Sequence, residues 1–233
     1  MPSRKIFCAI DTADLAPALK LVQKLSALPL HYKLGLKFFA AQGLAGVEKI
    51  CAVAGRKAEI FLDLKFHDIP NTVEGAVRSA LKAEPQFLTI HASGGIAMMK
   101  AAVAAAHATA RKPKILAVTV LTHLDDRDLA GVGQYTPVDE QVLRLARLAK
   151  ESGVDGVVCS PHEIELLREE MGKGFLLVVP GIRPAEAKQG DQKRTMTPEQ
   201  AIKLGADYLV IGRPITDAAD PLAAAKKILA AAG

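Results

Sequence analysis

The sequence predicts an α/β protein, a (β/α)8 TIM barrel that takes up residues 1–233 as one domain. Eight short apolar runs typical of strands alternate with helical patterns along 233 residues, a length that suits one α/β domain. Half of the residues are hydrophobic and only 4% are aromatic, so we expect a core of Leu, Ile, Val and Ala, as in parallel barrels. The alternative, an open doubly wound sheet, would usually carry a glycine-rich turn after its first strand, where this chain has Asp11.

Each predicted strand is a short apolar run that ends at a turn or at a polar residue. The strands are expected at 6–10, 32–36, 61–66, 87–91, 115–121, 156–159, 175–179 and 208–211. Apolar residues three or four positions apart follow most of these runs and predict helices. After the fifth strand we expect a polar loop before the next helix.

Several helix boundaries have sequence signals of their own. Pro17 is tolerated because it lies in a first turn, and Gly55 is expected to end the second helix. Ser160-Pro161 is expected to begin the helix after the sixth strand. The capping box at 197–200 predicts the start of another helix, and a last helix is expected at 221–231.

Composition argues against a secreted or membrane protein. The amino terminus reaches an acidic residue after a short apolar run, unlike a secretory signal, and no run approaches the ~20 apolar residues of a membrane span. Cys8, Cys51 and Cys159 are odd in number and widely separated, which favours reduced thiols over disulfides. We therefore expect a soluble, cytoplasmic protein that does not bind a membrane.

The net charge of +5 is compatible with either nucleic acid or a small anionic substrate. The basic residues are spread along the chain, without a basic run or interleaved aromatic residues, so we expect no nucleic-acid partner. A positive field would raise the encounter rate with a small anion.

The stretch 61–72, FLDLKFHDIPNT, contains the most informative chemistry. Side chains alternate along a strand, so Asp63 and Lys65 point to the same face. Burying them would cost several kcal/mol without partners, which suggests a functional role. Asp68 follows at the carboxyl end of the strand, where α/β barrels build their sites. The alternative is a surface ion pair on an edge strand.

Other polar residues also fall at or just beyond the carboxyl ends of predicted strands. If the barrel forms, they should surround one opening. With Asp63 and Lys65, the set comprises Asp11, Lys33, Thr122, Arg183 and Arg213.

Two loops have the composition of a phosphate site. Residues 180–183 and 211–214 follow strands seven and eight, and each contains a glycine followed by an arginine. Glycine lets the backbone approach a phosphate, and arginine can bind its oxygens with two hydrogen bonds. The alternative is a strand-terminating glycine beside a solvated arginine. The polar segment 184–196, with Gln192, suits a loop that closes over the phosphate, and an ordinary surface loop would look similar.

The sequence predicts neither a metal site nor an organic cofactor. His67, His91 and His123 lack the spacing of metal ligands. No segment resembles a thiamine or lysine Schiff-base site.

Together these residues resemble the orotidine 5′-phosphate decarboxylase family over essentially the whole chain. The resemblance implies a homodimeric, cofactor-free barrel that converts orotidine 5′-monophosphate to UMP and carbon dioxide, the last step of de novo pyrimidine nucleotide synthesis. It rests on segments 10–11, 63–72, 180–183, 190–192 and 211–214, with Lys33 and Thr122.

The resemblance also implies roles for the residues that react. Lys65 would donate the proton to carbon 6 of the pyrimidine, beside Asp63, which faces the departing carboxylate. Lys33 and Asp68 would complete an alternating row of charges. Asp68, with Ile69 and Thr72, would enter the site of the partner subunit.

The remaining implied contacts hold the substrate away from the reacting carbon. Asp11 and Lys33 would bind ribose hydroxyls, and Thr122 would lie near the base. The phosphate contacts would come from Arg183, Gln192, Gly212 and Arg213.

Two other functions fit the same residues. One is a magnesium-dependent sugar-phosphate lyase or decarboxylase that shares the D-x-K-x-x-D pattern, which would lose activity in a chelator. The other is a non-catalytic barrel that binds nucleotide phosphates, since a fold alone does not confer activity.

Overall fold

The computed structural model describes residues 5–55, 57–184 and 195–233, and its strands close into a parallel barrel. The strands pair in chain order, and β8 pairs with β1, which confirms the predicted (β/α)8 barrel. The strands are β1 (Ile6–Ile10), β2 (His31–Gly35), β3 (Ile60–Phe66), β4 (Phe87–His91), β5 (Lys114–Val118), β6 (Gly156–Val158), β7 (Leu176–Val179) and β8 (Tyr208–Ile211).

Helices surround the barrel and connect successive strands. They are α1 (Leu15–Leu25), α2 (Leu36–Ala54), α3 (Pro70–Ala80), α4 (Gly95–His107), α5 (Asp126–Gly131), α6 (Val138–Glu151), α7 (Ile164–Met171), α8 (Pro198–Leu204), α9 (Arg213–Thr216) and α10 (Pro221–Ala232). Their apolar faces pack on the outward-facing residues of the strands, which makes this layer the main core.

Most predicted boundaries lie within a few residues of the observed ones. Gly55 caps α2 with a φ of 79°, and the capping box of Thr197 with Gln200 begins α8. The prediction at Ser160 was partly wrong. Ser160 and Glu163 do form a capping box, but it begins a 3-10 turn, and α7 starts only at Ile164.

The predicted fifth strand was too long, and the polar loop after it contains a helix. β5 ends at Val118, and α5 begins after a capping box in which Asp125 and Asp128 bind each other's backbone N–H groups. The apolar run to residue 121 looked like strand because periodicity does not report where pairing stops. A helix of 6 residues is too short to produce a clear helical period.

A separate cluster of rings fills the barrel at the amino-terminal ends of its strands. Phe7 lies 5.3 Å from Phe61 and 5.2 Å from Phe87, and Phe87 lies 5.2 Å from Tyr208, measured between ring centroids. Edge-to-face packing of this kind adds to the burial of apolar area. These rings, which we call the ring floor, close the barrel below the site described next.

Burial also sets the chemistry of the cysteines. Cys8 and Cys159 are buried and Cys51 is half-buried. Burial raises the pKa of Cys8 to about 12, which keeps its thiol protonated. Within the described ranges, no helix has the length and apolar character needed to cross a membrane.

Candidate active site

A cavity of about 580 Å³ opens at the carboxyl ends of the strands, above the ring floor. Phe61 belongs both to the ring floor and to the cavity lining. The cavity brings together most of the site residues that the sequence singled out. These are Asp11, Lys33, Asp63, Lys65, Thr122, Arg183, Gly212 and Arg213.

Asp63 is at the centre of the charged group in this cavity. It is only 9% exposed. One carboxylate oxygen, Oδ1, accepts from Lys65 Nζ at 2.7 Å, and the other, Oδ2, lies 3.3 Å from Lys33 Nζ. The hydroxyl of the buried Thr89 donates to Oδ1 at 3.0 Å. The sequence-based alternative of a surface pair on an edge strand is wrong, because β3 is paired on both sides and Asp63 is buried.

Two cations keep Asp63 ionised despite its burial. Burial by itself raises the pKa of this carboxyl group, but Lys33, Lys65 and the hydrogen bonds from Lys65 and Thr89 outweigh it, so the pKa falls to about 2. Asp63 therefore carries a negative charge throughout the pH range in which an ordinary enzyme works.

The backbone of Lys65 departs from regular strand geometry. Its φ is 49°, in the left-handed region that a residue with a side chain rarely adopts, at a typical cost of about 1–3 kcal/mol. The pairing of β3 with β4 shifts register here, between Leu62 and Phe66. Such bulges change the direction of side chains next to active sites.

Two histidines lie beside this charged group. The rings of His67 and His91 are 5.3 Å apart between centroids. Burial and the nearby His67 and Lys65 lower the pKa of His91 to about 4, so His91 is neutral at pH 7. Of the residues that the structure describes, no three His, Cys, Asp or Glu side chains are grouped as metal ligands would be.

The two predicted phosphate loops meet at another side of the cavity. Burial and then the positive charge of Arg213 lower the pKa of Arg183. Gly181 has a φ of 77°, and the N–H of Arg183 donates to the carbonyl of Met196 at 2.9 Å. A bound anion would relieve the repulsion between the two arginines. Gln192 and most of the segment 184–196 lie outside the described residues.

Asp68, Ile69 and Thr72 lie away from their own cavity. All three are exposed, and none is among the described residues that line it. The Asp68 carboxylate accepts from the N–H of Ile69 at 2.7 Å, and the Ile69 side chain is 66% exposed. Leu36, which follows the neighbouring strand β2, is 56% exposed.

Sequence reasoning did not select some residues of the site. Lys37, Thr216 and Asp217 also line the cavity. The rule that found the others, a polar residue just beyond a strand, could have found Lys37, but Thr216 and Asp217 lie at the end of α9. Thr89 is different, since a threonine inside an apolar strand gives no functional signal.

Comparison with known proteins places the chain in a family. The family model described as "Orotidine 5'-phosphate decarboxylase / HUMPS family" matches residues 4–228. Orotidine 5′-phosphate decarboxylase from Moorella thermoacetica is 51% identical, covering 97% of this chain and 91% of that protein. The protein of the same name from Rhodospirillum rubrum is 49% identical, covering 98% of this chain and 94% of that protein.

Solved structures agree with the sequence comparisons. The crystal structure of orotidine 5′-phosphate decarboxylase from Lactobacillus acidophilus has a TM-score of 0.87 and 39% identity, covering 99% of this chain and 100% of the other. A protein from Pyrococcus horikoshii is 24% identical, and its TM-score of 0.78 shows that it has a similar fold. This chain belongs to the orotidine 5′-phosphate decarboxylase / HUMPS family.

Proposed function

We propose that this chain decarboxylates orotidine 5′-monophosphate to UMP and carbon dioxide, the last step of de novo pyrimidine nucleotide synthesis. The observation that carries the proposal is the buried Asp63 held between Lys33 and Lys65 in a cavity that also contains two arginine loops. Relatives about half identical over nearly the whole chain bear the name of this activity.

The chemistry requires a cation beside the reacting carbon. When the bond between carbon 6 and the carboxylate breaks, its electron pair stays on carbon 6. The Lys65 ammonium group stabilises this developing charge, donates a proton to carbon 6 and is later reprotonated from water. Its hydrogen bond to Asp63 aims the ammonium group before the substrate arrives.

Asp63 has two effects on this step. It orients Lys65, and it places a fixed negative charge next to the carboxylate of the bound substrate. The repulsion between the two carboxylates is relieved as carbon dioxide leaves, which lowers the barrier relative to the bound state.

Binding of the distant phosphate positions the ring over these charges. Arg183, Arg213 and Gly212, with Gln192, would bind the phosphate. Asp11 and Lys33 would bind the ribose hydroxyls, with Thr122 near the base. Binding energy from groups that do not react can be used to hold the reacting carbon in place.

A homodimer would complete the site. Asp68, Ile69 and Thr72 are exposed and do not line the cavity of their own chain, and we propose that they enter the partner's cavity, where Asp68 completes the row of alternating charges. We also propose a cytoplasmic location, since the cysteines of this chain suit a reducing compartment.

The direct test is an absorbance assay with purified protein and orotidine 5′-monophosphate. We expect conversion to UMP at the same rate with and without a chelator, because the two lysines supply the cationic stabilisation. Activity that disappears in chelator and returns with magnesium would instead favour the sugar-phosphate enzyme. Tight binding of UMP without turnover would favour the non-catalytic barrel.

Replacing Arg213 with alanine tests the phosphate site. We expect kcat/KM for orotidine 5′-monophosphate to fall by about 100-fold, since two charge-assisted hydrogen bonds are lost. The rate constant for orotidine, which lacks the phosphate, should change little. The matched control is Arg147→Ala, which removes an exposed arginine paired with Glu170 on the outer helices. An equal loss with both substrates would show that Arg213 does not bind the phosphate.

A further inference from the structure

The bulge in β3 is opposite a single residue of β4. Leu62 pairs with Leu88 before the bulge, and Phe66 pairs with Ile90 after it. The three residues 63–65 of β3 therefore face Thr89 alone. Both side chains at the centre of the charged group, Asp63 and Lys65, come from this irregular segment.

The Thr89 hydroxyl takes the place of the missing strand pairing. Its oxygen accepts from the backbone N–H of Lys65 at 2.9 Å, and its proton is donated to Asp63 Oδ1 at 3.0 Å. An ionised carboxylate can only accept, so the directions of both bonds are fixed. Thr89 is fully buried, and its hydroxyl contacts the backbone of one key residue and the side chain of the other.

We propose that Thr89 is a positioning residue for the decarboxylation, an inference that rests on the proposed function. Its hydroxyl holds the backbone of Lys65 in the left-handed conformation and fixes the position of Asp63 Oδ1. The same oxygen also accepts a hydrogen bond from Lys65 Nζ. The backbone and the ammonium group of Lys65 are thereby tied to the same carboxylate through one side chain. Thr89 itself is not among the described residues that line the cavity, so it acts through Lys65 and Asp63.

Position 89 requires a side chain that can accept one hydrogen bond and donate another at the same time. Valine has nearly the same shape as threonine and can do neither. With valine at this position, the partly buried backbone N–H of Lys65 would lose its acceptor and Asp63 would lose a donor. The left-handed turn at Lys65 would then lose its support, and Nζ would move away from carbon 6.

The test compares Thr89→Val with Thr89→Ser in steady-state assays with orotidine 5′-monophosphate. We expect Thr89→Val to lower kcat by about 100-fold, the typical cost of a misplaced reacting group. KM and the inhibition constant of UMP should stay within about threefold, because phosphate and ribose contacts are intact. Thr89→Ser restores the hydroxyl and should restore most of kcat.

The matched control is Thr119→Val. Thr119 is also a buried threonine of the barrel, and its hydroxyl contacts the Val158 carbonyl at 3.4 Å rather than the charged group. This control should retain kcat. If Thr89→Val does not fold, the test compares Thr89→Ser with Thr89→Cys. These two variants differ only in having a hydroxyl oxygen or a thiol sulfur, and only the serine variant should be active.

Two results would overturn the inference. One is a Thr89→Val enzyme with the kcat of the parent protein. The other is a loss of kcat accompanied by an equal weakening of UMP binding and equally present in Thr119→Val, which would indicate a general packing defect. An inactive parent protein would instead count against the proposed function, so the two failures are distinguishable.

Discussion

Replacing Lys65 with alanine is expected to lower the rate of decarboxylation by at least about 10⁴-fold, because one group supplies both electrostatic stabilisation and the proton. The change removes the cation 2.7 Å from Asp63 Oδ1 and leaves that carboxylate facing the substrate with only Lys33 to offset it. Single-turnover measurements with excess enzyme would give the rate of the chemical step.

Two further variants separate the roles of Lys65. Lys65→Arg retains a positive charge but cannot release a proton near pH 7, so any rate it keeps reports electrostatic stabilisation. Lys20→Ala, on the exposed face of α1, controls for the loss of one positive charge. Near-normal turnover by a folded Lys65→Ala protein would remove Lys65 as the proton donor.

Asp68→Ala is expected to be nearly inactive by itself and to recover when mixed with inactive Lys65→Ala. In a mixed dimer, the Asp68→Ala subunit keeps its own Lys65 and receives an intact Asp68 from its partner. Random exchange in a two-fold dimer should therefore restore about a quarter of the sites. Activity should be measured after subunits have been exchanged by mild denaturation and refolding.

The control for this experiment is a mixture without exchange, which should remain inactive. Differently tagged subunits would show that mixed dimers have formed. Mixed dimers without activity would mean that Asp68 acts within its own chain or has no role in the reaction. Its exposed position at the carboxyl end of β3 would then need another explanation.

Much of this architecture could be predicted because the signals are local. The strands were recognised as short apolar runs, and in a parallel barrel the residues after each strand meet at one end. Asp63 and Lys65 were selected because charge inside a buried strand is costly without partners. Side-chain alternation predicted only that they point to the same face; their contact at 2.7 Å forms across an irregular segment of β3.

The features that were missed depend on contacts between distant segments. The left-handed Lys65 and the hydrogen bonds of Thr89 depend on the register of β3 against β4, which no single run of residues encodes. The short α5 depends on its cap rather than on periodicity. The roles of Gln192 and the closing of the segment 184–196 stay predictions, as does the entry of Asp68 into a partner's site.

The ring floor gives the barrel a blind end. Phe7, Phe61, Phe87 and Tyr208 pack together below the charged group. Substrate would therefore enter and product leave through the same opening, at the carboxyl ends of the strands. The two arginine loops line the cavity through which the nucleotide would pass, so stronger binding of the phosphate would slow the release of product as well as retain substrate. The turnover rate is therefore expected to be highest at an intermediate affinity for the phosphate. Selection on these loops would then favour that intermediate affinity over the highest possible one.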